Sequence, residues 1–401
     1  MNQISKSDLI TYVSGGRIAP ELRHQISLES ERPDSEVRDW LHEFYAKCQS
    51  PFDVDWLQLF LDDFMPQAEA ETEASISPEE MEQALQVEAR AFDLINQGEY
   101  EAAHAFAAED LQRVDSELGK DHPVRVFGLN TLANVFINVG VYEAAITLLV
   151  EAIRLCKLSE DGAPVEAKIR VTLSTCYSQC AEFGSARSEL STAQELLTAA
   201  EHGLDESTRD EVKGFLHETS LKLAMAELLV NVMQGNYELA ESMGWQLYTD
   251  LAETGEDTVE KAEAANLLSQ ALRGTGNQED AVRAAGAAFM TASRIYGQHP
   301  KVSLYLANLA ACHIDAGDLE KAEDYLKPVV HQIVDSQTMT YFSAAVLINL
   351  GSVFLQTGRL KEAEDCFQGA QNVFDQIGGE RTLGYAVLQF NLASLAARTD
   401  R

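Results

Sequence analysis

Two stretches of this chain say nearly the same thing: NLAACHIDAGDLEKAEDYL (Asn308–Leu326) and NLGSVFLQTGRLKEAEDCF (Asn349–Phe367), whose starts lie 41 residues apart. In each, an apolar helical pattern stops at a glycine. A leucine follows two places on and an alanine three beyond that, as Gly317/Leu319/Ala322 and Gly358/Leu360/Ala363. The phrase recurs as Gly98/Tyr100/Ala103, Gly140/Tyr142/Ala145 and Gly235/Tyr237/Ala240. Two variants fill the gaps: Ala181/Phe183/Ala186, with alanine for the glycine, and Gly276/Gln278/Ala281, with glutamine for the aromatic. Successive turn positions are 42, 41, 54, 41, 41 and 41 residues apart. Such a period marks a repeat architecture.

The residue types follow from the geometry they must serve. Glycine takes the left-handed conformation that stops a helix. The Tyr or Leu after it packs into the angle between two helices, and the alanine lets their backbones approach closely. Small residues recur on the first helix of each unit (Ala133, Ser174, Ser269, Ala310, Gly351) and on the second (Ala152, Ala193, Ala288, Ala370). Each unit is therefore expected to be a tight helical hairpin. One hairpin cannot bury both apolar faces, so neighbours stack into a superhelix.

Composition agrees with an all-α chain. Of 401 residues 46% are hydrophobic and only 9 are proline. The formal net charge of −34 disfavours nucleic acid and anionic membrane as partners, since an acidic surface repels phosphate. The start, MNQISKSDLITYV, lacks the apolar core of a secretory signal, and no stretch is long and apolar enough for a membrane span. Cys48, Cys156, Cys176, Cys180, Cys312 and Cys366 lie in helical, largely apolar patterns, which implies reduced, buried thiols and a cytoplasmic protein.

Three regions are expected. Residues 1–64 hold four short amphipathic patterns, a small N-terminal helical bundle. Residues 65–77 form an acidic linker ending in Ser77-Pro78-Glu79-Glu80, a capping-box signature with proline at the first helical position. Residues 78–401 hold seven hairpin repeats and a final helix that caps the array. The fourth repeat departs from the rest. Some 13 extra residues precede it, and Glu227 takes a usually apolar place, so longer helices are expected there.

The turn phrase resembles the tetratricopeptide repeat. Its 41–42-residue period, the connectors Gly119-Lys120-Asp121-His122-Pro123 and Gly297-Gln298-His299-Pro300, and the phrases at Asn308-Leu309-Ala310, Asn349-Leu350-Gly351 and Asn391-Leu392-Ala393 are similar to the kinesin-light-chain type. The resemblance implies a right-handed superhelix, an α-solenoid, with first helices on a concave wall. It implies a non-enzymatic scaffold or adaptor that holds a peptide or partner helix. On that wall it places Asn130, Asn134, Lys168, Asn266, Asn308, Asn349, Ser352, Phe390 and Asn391. Two roles are open to the asparagines: clamping an extended peptide through amides that both donate and accept, or holding neighbouring hairpins in register. The two-Lys, two-Asn, one-Arg clamp of chaperone-tail-binding repeats is unmatched, since Lys168 stands alone.

The opening Leu9–Gly16, followed by Pro20-Glu21-Leu22, resembles the first helices of bacterial anti-sigma-factor zinc-binding domains, but only His24 matches their His-Cys-Cys ligand set. A bundle, a linker and about seven such repeats is also the layout of bacterial peptide-pheromone receptors. That layout implies an alternative, a regulatory protein whose bundle carries the output. No metal, cofactor or catalytic residue is expected. Cys176 and Cys180, one helical turn apart, lack further ligands, and no phosphate-loop, dinucleotide, zinc-protease or nucleophile-elbow motif is present.

Overall fold

The computed structural model describes residues 76–158, 162–203, 209–297, 299, 301–336 and 340–399. The bundle expected over 1–64, the linker to residue 75 and the anti-sigma-like opening lie outside the described residues. Fifteen helices and no strand occur among the described residues: α1 (Pro78–Gln97), α2 (Tyr100–Glu117), α3 (Arg125–Val139), α4 (Tyr142–Cys156), α5 (Ala163–Gln179), α6 (Phe183–Gly203), α7 (Arg209–Met233), α8 (Tyr237–Glu253), α9 (Val259–Thr275), α10 (Gln278–Tyr296), α11 (Val302–Asp315), α12 (Leu319–Ser336), α13 (Tyr341–Gln356), α14 (Leu360–Ile377) and α15 (Leu383–Thr399). Consecutive helices pack as hairpins from α1/α2 to α13/α14, and α15 packs on α13 and α14. The array is an all-α solenoid.

The first helix starts as its residues dictate. The Ser77 hydroxyl accepts from the Glu80 N–H at 3.2 Å while the Glu80 carboxylate accepts from the Ser77 N–H at 2.7 Å, with proline in the first turn. Each of the seven hairpin turns closes with one hydrogen-bond pair, seen at Gly98 as Gly98 N–H to Ile95 O and Glu99 N–H to Leu94 O. At Gly358 the same pair runs from Gly358 N–H to Leu355 O and from Arg359 N–H to Phe354 O. This motif satisfies carbonyls that the helix end would orphan, and its central residue must be left-handed.

Ala181 meets that demand without being glycine, at φ 60°, the one non-glycine with positive φ among the described residues. A Cβ in this region costs about 1–2 kcal/mol, partly offset by the extra freedom glycine gives the unfolded chain. Ala181→Gly is therefore expected to stabilise the protein by about 0.5–1 kcal/mol, read as a higher denaturant midpoint at unchanged slope.

The other variant turn is solved differently. Gln278, standing where the other units have Tyr, Phe or Leu, donates from Nε2 to the Asp315 carbonyl of the next hairpin at 2.8 Å. Close crossings use the small residues: Ala133, Ser174, Ser269, Ala310, Ala152, Ala193, Ala288 and Ala370 are fully buried. At Gly351 an added Cβ would stand 2.5 Å from the Phe367 ring, which explains glycine at that crossing. Long helices flank the insertion before the fourth unit: α6, which ends the third hairpin, has 21 residues, and α7, which opens the fourth, has 25. Glu227 is half-buried on α7, where burial pushes its carboxyl up against the opposing pull of Arg187.

First helices of successive hairpins touch at most steps, α1 to α3 and α5 onward to α15, whereas second helices do not contact one another so closely. The first helices thus form the inner layer and the second helices the outer one.

The solenoid also comes back on itself. The His299 Nε2 lies 2.7 Å from the Ile95 carbonyl at the end of α1, 204 residues away in sequence. The Lys301 N–H donates to His299 Nδ1 at 3.0 Å, so Nε2 carries the proton and donates to Ile95. Burial holds this imidazole below the ordinary histidine range, which favours the neutral ring that this bridge needs. Tyr142 at the second turn stacks edge-on against Tyr341 at the start of α13, with centroids 5.9 Å apart. Arg381, just before α15, pairs with Glu143 at 2.7 Å and reaches Glu182 at 3.8 Å.

Candidate functional site

The inner wall is built from residues one helical turn apart on the first helices, and its asparagines are already in use. Asn308 Nδ2 donates to Asn266 Oδ1 at 2.8 Å, Asn349 Nδ2 to the Ala307 carbonyl at 2.8 Å, and Asn391 Nδ2 to Ser352 Oγ at 3.3 Å. Each bond reaches back to the preceding hairpin, so the ladder pins neighbours in register. Two arginines do the same work nearby. Arg273 Nε meets Asp315 at 2.6 Å, and Arg398 Nη1 donates to the Leu355 carbonyl at 2.5 Å. An amide has two N–H groups and an acceptor oxygen, so one bond does not exhaust it.

The remaining wall positions divide by exposure. Asn130 and Asn266 are buried, and Asn130 lends its carbonyl to Asn134 Nδ2 at 2.8 Å. Asn134, Lys168, Asn308, Asn349, Ser352 and Asn391 are half-buried. Lys168 lies over the Phe215 ring, 5.7 Å from its centroid. Phe390 is 72% exposed and Val387 is exposed one turn before it on the same helix. The C-terminal half of the wall, from Asn308 to Phe390, thus offers accessible amides next to an exposed aromatic.

Five cysteines lie among the described residues. Cys156, Cys176, Cys180, Cys312 and Cys366 are free, and burial pushes their thiols up, to about 12 at Cys156 and Cys180 and about 11 at Cys312 and Cys366. They stay protonated at neutral pH and are poor nucleophiles. His313 is buried beside the Tyr325 ring, with Nδ1 3.6 Å from Asp318; burial lowers its pKa. Among the described residues, no group of three or more His, Cys, Asp or Glu is placed for a metal ion, and no helix is long and apolar enough to cross a membrane.

Sequence reasoning passed over Arg125, which is wholly buried at 0% exposure. Its Nε lies 2.7 Å from Asp115 of α2 and its Nη1 3.3 Å from Glu151 of α4. Glu151 also holds Arg154, which reaches Asp121 at 2.8 Å. The chain of charges ties three helices to the connector between the first two hairpins. Its sequence signal was an arginine two residues after the proline of the Gly119–Pro123 connector, at the start of an otherwise apolar helix.

Two family profiles, each described as a tetratricopeptide repeat, match residues 90–124 and 342–401. No curated protein sequence matches the chain. Among solved structures, the chain is similar to the Rap conjugation gene regulator of the plasmid pLS20 in complex with the Phr* peptide, at 13% identity and TM-score 0.56, over 92% of this chain and 96% of that one. It is similar to a Rap protein complexed with Competence and Sporulation Factor, at 13% identity and TM-score 0.53, over 79% and 88%. It is also similar to kinesin light chain TPR-like repeats from Podosopora anserina, at 15% identity and TM-score 0.40, over 53% and 95%. At these identities the likeness is one of fold. The two matched segments, the seven capped turns and the fold shared with the two Rap structures make the described array a solenoid of tetratricopeptide-type hairpins.

Proposed function

We infer that the protein is a non-enzymatic interaction scaffold that holds an extended peptide or a partner helix along the inner wall. The observation that carries this reading is the row of half-buried amides at Asn308, Asn349 and Asn391, leading to the exposed Phe390. Backbone groups of a peptide supply the partners such amides need, and an aromatic supplies an anchor. The contact set is narrowed from the full wall to Asn134, Lys168, Asn308, Asn349, Ser352, Phe390 and Asn391, because Asn130 and Asn266 are buried. The two Rap structures, solved with a peptide and with Competence and Sporulation Factor, support the reading by analogy of fold.

A second reading is a regulator controlled by its ligand, with residues 1–64 carrying the output beyond the linker 65–77. The likeness to a gene regulator at TM-score 0.56 favours it.

The test is affinity capture from the native cell, followed by titration of the captured segment as a synthetic peptide. Asn308→Ala/Asn349→Ala is expected to weaken binding about thirtyfold, since each of the two net hydrogen bonds contributes about 1 kcal/mol. The pair also removes two register pins, so thermal unfolding must be measured alongside. Phe390→Ala separates the effects, being exposed: it should weaken binding without shifting the unfolding midpoint. Unchanged affinity in both variants would move the contact off this wall.

A further inference from the structure

The solenoid meets itself along a regular seam. The turn of the first hairpin meets the connector leading into the sixth, through Ile95 and His299. The turn of the second meets the start of the seventh, where Gly140 and Tyr142 pack on Tyr341. Arg381, in the segment leading to α15, takes Glu143 of the second turn and Glu182 of the third. The contacts advance in step with the repeat, so they follow from the curvature of the array and are not one chance touch.

The seam has the anatomy of a small interface. Its centre is apolar: Gly140 lies against Tyr341 and Ile377, and Tyr341 stacks edge-on with Phe374 at 6.0 Å. Its rim is polar, with Arg381 and its two carboxylates at one end and the His299 bridge at the other. The apolar core of the first three hairpins and α7, from Leu94 to Val230, is continuous with that of the last units, from Ala307 to Leu395. The middle of the chain is different. Around α8, α9 and α10 the buried apolar residues fall into three separate smaller clusters, such as Leu228/Val232/Ala240/Leu267/Ala271 and Ala262/Ala265/Ala288/Ala292/Tyr305.

We propose that the seam is a clasp: it closes one turn of the superhelix on itself and sets the width of the inner trough, and the array opens along it with every hairpin intact. Each hairpin keeps its own turn hydrogen bonds and its stacking on sequence neighbours whether the seam is closed or open. The rim is accessible to water, Arg381 being 40% exposed, so this contact can exchange with solvent. A ligand whose affinity differs between the closed and open trough shifts the balance between them. The clasp does not depend on what the trough binds.

Arg381→Glu tests it, because it sets a third carboxylate against Glu143 and Glu182. Small-angle scattering of the full chain should show a larger radius of gyration, while far-UV circular dichroism keeps the wild-type helicity. The charge swap Glu143→Arg/Arg381→Glu should return the scattering curve to that of the wild type. Two results would overturn the clasp. One is a fully helical Arg381→Glu whose curve superimposes on the wild type. The other is loss of helicity in step with expansion, which would make the seam part of the folding core.

Discussion

Arg125→Ala is expected to destabilise the protein by about 3–5 kcal/mol, the range for breaking a buried ion pair by removing one partner. The guanidinium has no exposed surface and bridges Asp115 to Glu151. Taking it away leaves Asp115 in a largely dry site without this cation, 16% of its side chain exposed, while Glu151 keeps Arg154. The penalty is therefore the uncompensated carboxylate at Asp115 together with the void where the guanidinium stood. Arg125→Lys restores the charge but not the planar fork, so it should recover only part of the loss. Arg283→Ala is the control. That arginine pairs with Asp280 on an open helix face, 69% exposed, and its removal should leave the denaturation curve in place. If Arg125→Ala unfolds no more easily than Arg283→Ala, the buried network is not what holds the first two hairpins together.

Local chemistry was legible in the sequence, and long-range curvature was not. Each turn is written in a few adjacent residues, because the capping motif demands a left-handed residue and an alanine at the crossing. Hence even the alanine variant at Ala181 was readable as a turn. The capping box at Ser77–Glu80 is local in the same way. The asparagine ladder was half legible. The 41-residue spacing put Asn308 and Asn349 at equivalent first-helix positions, and the resemblance implied that these line one wall, but whether an amide faces a neighbouring helix or open space depends on the angle between hairpins. The amides turn out to pin the register, and the open face lies nearer Phe390. Arg125 was missed because an arginine in sequence reads as surface, and only the convergence of α2 and α4 buries it. His299 was read as part of a connector. Its second partner, Ile95, is reached only because the array curves through a full turn, and no period in the sequence states that curvature.

Gly140→Ala brings the turn and the seam together in one substitution. Gly140 stands at φ 92°, so any side chain there carries the left-handed penalty of about 1–2 kcal/mol. A Cβ would also stand 2.5 Å from the Tyr341 Cβ and 3.4 Å from Ile377 Cδ1. The Tyr341 Cβ is fixed to the first residue of α13 and cannot swing aside as a ring tip can, so the helix itself must shift. Overpacking of this kind adds about 1–3 kcal/mol. Gly317→Ala supplies the reference: it has φ 78°, but its Cβ would meet nothing within 4 Å, so it should carry the backbone term alone. The difference in unfolding free energy between the two alanine variants then isolates the contact across the seam. In an Arg381→Glu background, where the seam stands open, that difference should collapse, because Tyr341 no longer faces Gly140. Equal losses for Gly140→Ala and Gly317→Ala in the wild-type background would mean that the second turn and α13 do not press together in solution, and the closed superhelix would have to be given up.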